Sequence, residues 1–189
     1  ASAVDLWRDW DYSTPTGLDG AKPGSPSTTD AGRSRASAAS ALFHAFVLKL
    51  APRVLDDDIS QYTMGSGSAL TVVNFPFDQM ITRYLIALIT DPASLQTGSA
   101  LCDDQFTGPV ETCDDVIVAA LEDTRTFLVS RLSTTDPGAW RWGRLHLVLF
   151  ESPLSQLGES GFNFGPFAND GGLYTVDVKV LFDGKTSAG

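Results

Sequence analysis

Apolar residues recur at spacings of three and four as far as Leu128, and at a spacing of two from Leu145 onward. That change of period constrains the fold more than any other feature, because helices repeat near 3.6 and strands at 2. Ala36, Ala39, Leu42, Phe43, Phe46, Val47 and Leu50 trace one helical face, and Pro52, which has no N–H, is expected to limit its continuation. Phe77, Met80, Ile81, Tyr84, Leu85, Leu88 and Ile89 trace a second face, stopped by Asp91-Pro92. Val116 or Ile117, Ala120, Leu121, Thr124, Phe127 and Leu128 trace a third over Asp114 to Arg131. Thr112 with Asp115 before it resembles a capping box, with Asp in the place of Glu. After the turn at Asp136-Pro-Gly, Leu145, Leu147 and Leu149 alternate with His146, Val148 and Phe150, as in a strand apolar on both sides. Tyr174, Val176, Val178 and Val180 alternate with Thr175, Asp177 and Lys179, the pattern of a half-buried strand. The expected class is α+β: a helical subdomain followed by two β-strands.

Between these elements the sequence predicts loops. Ala1 to Tyr12 is a short amphipathic segment. Ser13 to Gly32 (STPTGLDGAKPGSPSTTDAG) has almost nothing to bury and is expected on the surface. Phe162 to Gly172 (FNFGPFANDGG) reads as a loop of Gly, Asn and aromatic residues. Residues 1–189 are expected to form a single partial domain, with 1–134 mainly helical around a flexible loop at 13–34. Residues 139–182 are expected to supply a strand pair with its Gly-rich loop. Asp56-Asp57-Asp58 lacks the Gly and terminal Glu of a calcium loop and reads as a solvated helix start or turn.

Charge narrows the partners. The net charge is −10, and the 13 Lys and Arg residues are scattered, so the basic stripe that nucleic-acid binding requires is missing. The longest apolar run, roughly Val116 to Leu121, is far shorter than the ~20 residues that span a bilayer. Neither nucleic acid nor membrane is expected as a partner. Ala1-Ser-Ala-Val-Asp lacks the basic start and apolar stretch of a signal peptide, so a signal for export would lie upstream. Cys102 and Cys113 flank a polar segment with a Gly-Pro turn. They are expected to pair in a disulfide, which implies a periplasmic or secreted protein; the alternative is two free thiols, with Cys113 packed at a helix start. A zinc site needs about four ligands, and His44 and His146 are the only histidines. No metal or cofactor is expected.

Self-contained catalysis finds little support. Gly65-Ser-Gly-Ser lacks the spacing of a nucleophile elbow and reads as a turn. Glu122 and Asp123 are adjacent on a helix, so their side chains diverge by about 100°. Their i+4 neighbours, Thr126 and Phe127, are not charge partners. His146 reads as a strand residue in the packing, with no nucleophile to serve.

Five segments in order resemble a family. LWRDWD (Leu6 to Asp11), ASAASALFHAF (Ala36 to Phe46), VIVAALEDT (Val116 to Thr124), WRWGRLH (Trp140 to His146) and FNFGPFANDGGLYTV (Phe162 to Val176) resemble the β-chain of penicillin acylases, which are N-terminal nucleophile hydrolases. The subgroup acting on aculeacin-type lipopeptides or acyl-homoserine lactones shows a similar cysteine context. The resemblance implies an αββα fold and hydrolysis of a linear amide by a Ser made N-terminal by self-cleavage, whose own α-amine acts as base. It implies as partners an α-chain, the rest of the β-chain and a small-molecule amide substrate.

The departures are as informative. Ala1 stands first, Ser2 lacks the family's Ser-Asn context, and no segment matches the oxyanion-hole Asn. The resemblance thus reads as an internal slice, inactive alone, to which no catalytic residue carries over. WRWGRLH is expected to pack, and His146 and Asn169 are the residues expected to reach a substrate groove. The rival reading is an exported helical module that binds a protein partner without catalysis. A slice is expected to leave apolar strand edges uncovered, and a complete module to cover them.

Overall fold

The computed structural model describes residues 3–61, 79–91, 98–104 and 106–172. Among them lie three α-helices, α1 (Ala31–Ser60), α2 (Gln79–Thr90) and α3 (Cys113–Leu132), followed by strands β1 (Leu147–Phe150) and β2 (Phe164–Ala168). The fold is therefore α+β, with the helices first and the two strands last. The chain divides into two compact units: Ala1–Ala41 with Arg131–Gly189, and Leu42–Ser130.

Helix α1 begins where the Asp30 carboxylate accepts from the Arg33 amide at 2.8 Å, an N-terminal cap. It does not stop near Pro52, as the sequence suggested, but runs on to Ser60 with Pro52 inside it. Pro52 leaves the carbonyl four residues back without its helical donor. That residue, Leu48, is 45% exposed, so water can serve it, while Leu50, Ala51 and Val54 are fully buried on either side of Pro52. Asp56-Asp57-Asp58 consequently lies in the last turns of α1, not at a helix start. The negative end of the helix dipole does not favour carboxylates there. By length and mean hydropathy (1.3 over its most apolar 18 residues) α1 could cross a membrane, but 61% of that window is buried against protein, as in a core helix.

In the Leu42–Ser130 unit, α2 buries Leu85 and Leu88 of the expected face, whereas Ile89 of that face is exposed. Phe77 lies outside the described residues. Helix α3 buries Val116, Ala120, Thr124 and Leu128, every fourth residue, and the Thr124 hydroxyl donates to the Ala120 carbonyl. Its capping box forms: the Asp115 carboxylate accepts from the Thr112 amide and hydroxyl, and the Asp115 amide donates to the Thr112 hydroxyl. Those contacts, with the Thr112 hydroxyl foremost, hold the Asp115 carboxyl below its ordinary pKa. Cys102 and Cys113 are joined in a disulfide, which ties a short 3-10 turn (Gly98–Cys102) to the start of α3. Asp123 has a charge partner after all. It is Arg53 of α1, at 2.8 Å, a pairing invisible to an i+4 search along α3. Both side chains are about half exposed, so the pair contributes ~1 kcal/mol or less.

In the other unit, β1 and β2 pair antiparallel, with Leu147 opposite Ala168, Val148 opposite Phe167 and Phe150 opposite Phe164. The second strand thus comes from the segment read as a loop. Its Phe164 and Phe167 suit a strand, although Gly165 and Pro166 between them break the apolar alternation. The Tyr174–Val180 pattern lies outside the described residues. Among the described residues little covers the side chains of the hairpin: Leu147, Leu149, Phe150, Phe162 and Phe164 are all exposed.

Candidate functional site

The loop at 13–28 and the stretch at 139–150 meet around Thr16. The Thr16 carbonyl accepts from the Ser37 hydroxyl at 2.8 Å and from the Gly143 amide at 2.9 Å, while its amide donates to the Asp170 carboxylate. Ser37, fully buried, also accepts from the Trp142 amide at 2.8 Å. The loop therefore does bury residues, contrary to its composition: Thr16, Leu18 and Thr28 are buried. Its arms are joined by a bridge between Leu18 and Ser27 and by the Thr28 amide on the Gly17 carbonyl. Gly17 has φ +70° and no room for a side chain, because a Cβ would collide with the Ser37 side chain and with Arg141 Cδ. Gly143 is equally confined: a Cβ would fall 2.6 Å from Thr16 Cβ.

Trp142 carries this packing to the turn at 169–171. Its indole N–H donates to the Gly171 carbonyl at 2.7 Å, and the Gly171 amide donates to the Thr14 carbonyl. The His146 ring stacks on Trp142, with centroids 4.9 Å apart and planes 13° from parallel. His146 Nδ1 lies 2.9 Å from the Asn169 carbonyl oxygen; a carbonyl only accepts, so Nδ1 carries the proton. The Asn169 amide returns a bond to the His146 carbonyl. His146 and Asn169 are thus brought together, but through main chain. Arg141 is buried, and its Nη1 donates to the carbonyls of Gly138 and Trp140. Burial first, then the neighbouring Arg144 charge, lowers its pKa, against an opposing pull from Asp136. WRWGRLH therefore packs, as expected.

Beside the 169–171 turn lies an open cavity of about 750 Å³, within the same unit. Its apolar surface comes from Leu6, Trp10, Pro15 and Ala36, and its charges from Asp9, Asp11, Arg33, Arg35 and Asp170. Hydrogen bonds from Ser13, side chain first, hold the Asp11 carboxyl below its ordinary pKa. His146 and Asn169 do not line the cavity; the next two residues, Asp170 and Gly171, do. Reading apolar periodicity could not find Thr16, Ser37 or Asp170, because their role is to exchange hydrogen bonds. Among the described residues the lining holds Ser13 but no histidine, lysine or cysteine that could serve it as a base. Among the described residues, no group of three or more His, Cys, Asp and Glu could hold a metal ion. Gly65-Ser-Gly-Ser lies outside them.

Fold and cavity together define an α+β scaffold with an open, mixed-charge cleft. The penicillin amidase family model matches residues 1–188, and the chain belongs to that family, whose members are acylase-type amidohydrolases. No curated protein and no solved structure matches the chain.

Proposed function

We propose that this chain is a scaffold portion of a penicillin acylase-like enzyme that hydrolyses a linear amide to a carboxylic acid and an amine. The family match over 1–188 is the observation that carries this reading. The substrate is a β-lactam side-chain amide, an acyl-homoserine lactone or a lipopeptide acyl group, and the nucleophile is an N-terminal Ser encoded outside these residues. In support, the Ser37 hydroxyl is engaged between Thr16 and Trp142, and the His146 ring faces a main-chain carbonyl. The uncovered apolar hairpin favours a slice of a larger αββα enzyme over a self-contained binding module. Residues 1–134 would supply its helical part and 139–182 its strands. The partners are the α-chain and the rest of the β-chain, with His146 and Asn169 at the edge of the substrate groove. The Cys102–Cys113 disulfide supports a periplasmic or secreted location.

The test is an amidase assay with a panel of N-acyl amides. The 189 residues alone should show no turnover, and the same residues joined to the rest of the acylase should be active. Turnover by the isolated chain that survives Ser2→Ala would require another nucleophile and would overturn the scaffold role.

A further inference from the structure

The cavity of about 750 Å³ has walls held by hydrogen bonds and carries two charges that have no partner among the described residues. The Trp10 indole N–H donates to the Ser13 carbonyl, and the Ser13 amide to the Asp11 carboxylate. Asp170 is held by the Thr16 amide, and Arg35 Nη2 donates to the carbonyls of Asp5 and Arg8. Three of the five charged groups are thus built into the wall. Arg33 and Asp9 are not. Among the described residues neither side chain has a hydrogen-bond or ion-pair partner, and they do not pair with each other. One cation and one anion thus remain on the lining, not paired with each other, together with the apolar Leu6, Pro15 and Ala36.

We propose that this cavity binds a small zwitterion with an apolar body, of the α-amino acid class. Arg33 takes the carboxylate, Asp9 takes the ammonium, and the side chain lies on Leu6, Pro15 and Ala36. A ligand carrying one charge gains from one of these groups and is repelled by the other, so its electrostatic terms offset; a zwitterion gains from both. The volume suits such a ligand with water to spare, since small-molecule sites run from about 300 to 1,000 Å³. The proposal goes beyond the acylase reading and does not depend on it.

Calorimetric titration of the full chain with L-phenylalanine, L-phenylalaninamide and N-acetyl-L-phenylalanine tests it without any assay of turnover. L-phenylalanine should bind about three- to fivefold more tightly than either analogue, because an exposed charge contact is worth up to ~1 kcal/mol. Arg33→Gln should erase the preference over the amide, and Asp9→Asn the preference over the N-acetyl compound. Both positions are exposed, and Asn tolerates the left-handed backbone at Asp9 (φ 60°), so the variants should fold, with circular dichroism as the check. Equal binding of the three compounds, no saturable binding up to roughly 20 mM, or preferences that survive both substitutions would overturn the proposal.

Discussion

The loop at 13–28 and the hairpin at 147–168 belong to the same unit and reverse what composition predicts of each. The loop is mostly Ser, Thr, Pro and Gly, yet Thr16, Leu18 and Thr28 are buried. The hairpin and its connection are rich in Leu and Phe, yet Leu157 is 78% and Phe164 67% exposed. Burial follows partners. Thr16 has Ser37, Gly143 and Asp170 to answer its polar groups, and a buried polar group that is answered costs little. The loop reaches β2 through the Ala168 amide, which donates to the Ala21 carbonyl, but among the described residues nothing buries the apolar side chains of the hairpin, and a two-stranded hairpin alone is marginal in water.

The largest expected effect tests the polar side of this contrast. Trp142→Ala removes a buried ring, the bond to the Gly171 carbonyl and the surface on which His146 stacks. It should cost about 3–5 kcal/mol in urea unfolding. Ser37→Ala strips the Trp142 amide of its acceptor and the Thr16 carbonyl of one of two donors, and should cost about 1–3 kcal/mol by the same measurement. If either variant unfolds like the parent, the loop is not held as described. On the apolar side, Leu157→Ser and Phe162→Ser should each change stability by no more than about 0.5 kcal/mol. Together they should reduce self-association of the isolated chain in sedimentation velocity; a large loss of stability would mean the hairpin is already covered.

The smallest effect is a pH dependence at the cavity mouth. The folded-state pKa of Asp11 is depressed, so its capping of Ser13 is fully present above the unfolded carboxylate pKa and is lost as pH falls through the lower folded value. NMR titration should place Asp11 below the ordinary aspartate pKa, and Asp11→Asn should remove that feature while leaving stability near neutrality almost unchanged.

What could be read from the sequence was periodic. The α3 stripe from Val116 to Leu128, its Thr112–Asp115 cap, the end of α2 before Pro92 and β1 all stand where residue spacing put them. The family was legible from five ordered segments, each short. What escaped depends on contacts distant in sequence. The continuation of α1 past Pro52 rests on burial at Leu50, Ala51 and Val54, which no local propensity rule contains. The partner of Asp123 is 70 residues away. Strand β2 hid because Gly165-Pro166 interrupts its pattern, and the cavity hid because its walls are joined by the Gly171 amide on the Thr14 carbonyl and the Thr16 amide on the Asp170 carboxylate, contacts between segments distant in sequence.

Hydrogen exchange, compared between the isolated 189 residues and the complete acylase, reads the contrast between loop and hairpin amide by amide. Amides bonded around Thr16, such as those of Gly143 and Thr28, should exchange slowly in both, whereas those of Leu147–Phe150 and of residues 164–167 should become slow only in the complete enzyme. Equal, strong protection of the hairpin in the isolated chain would contradict the account.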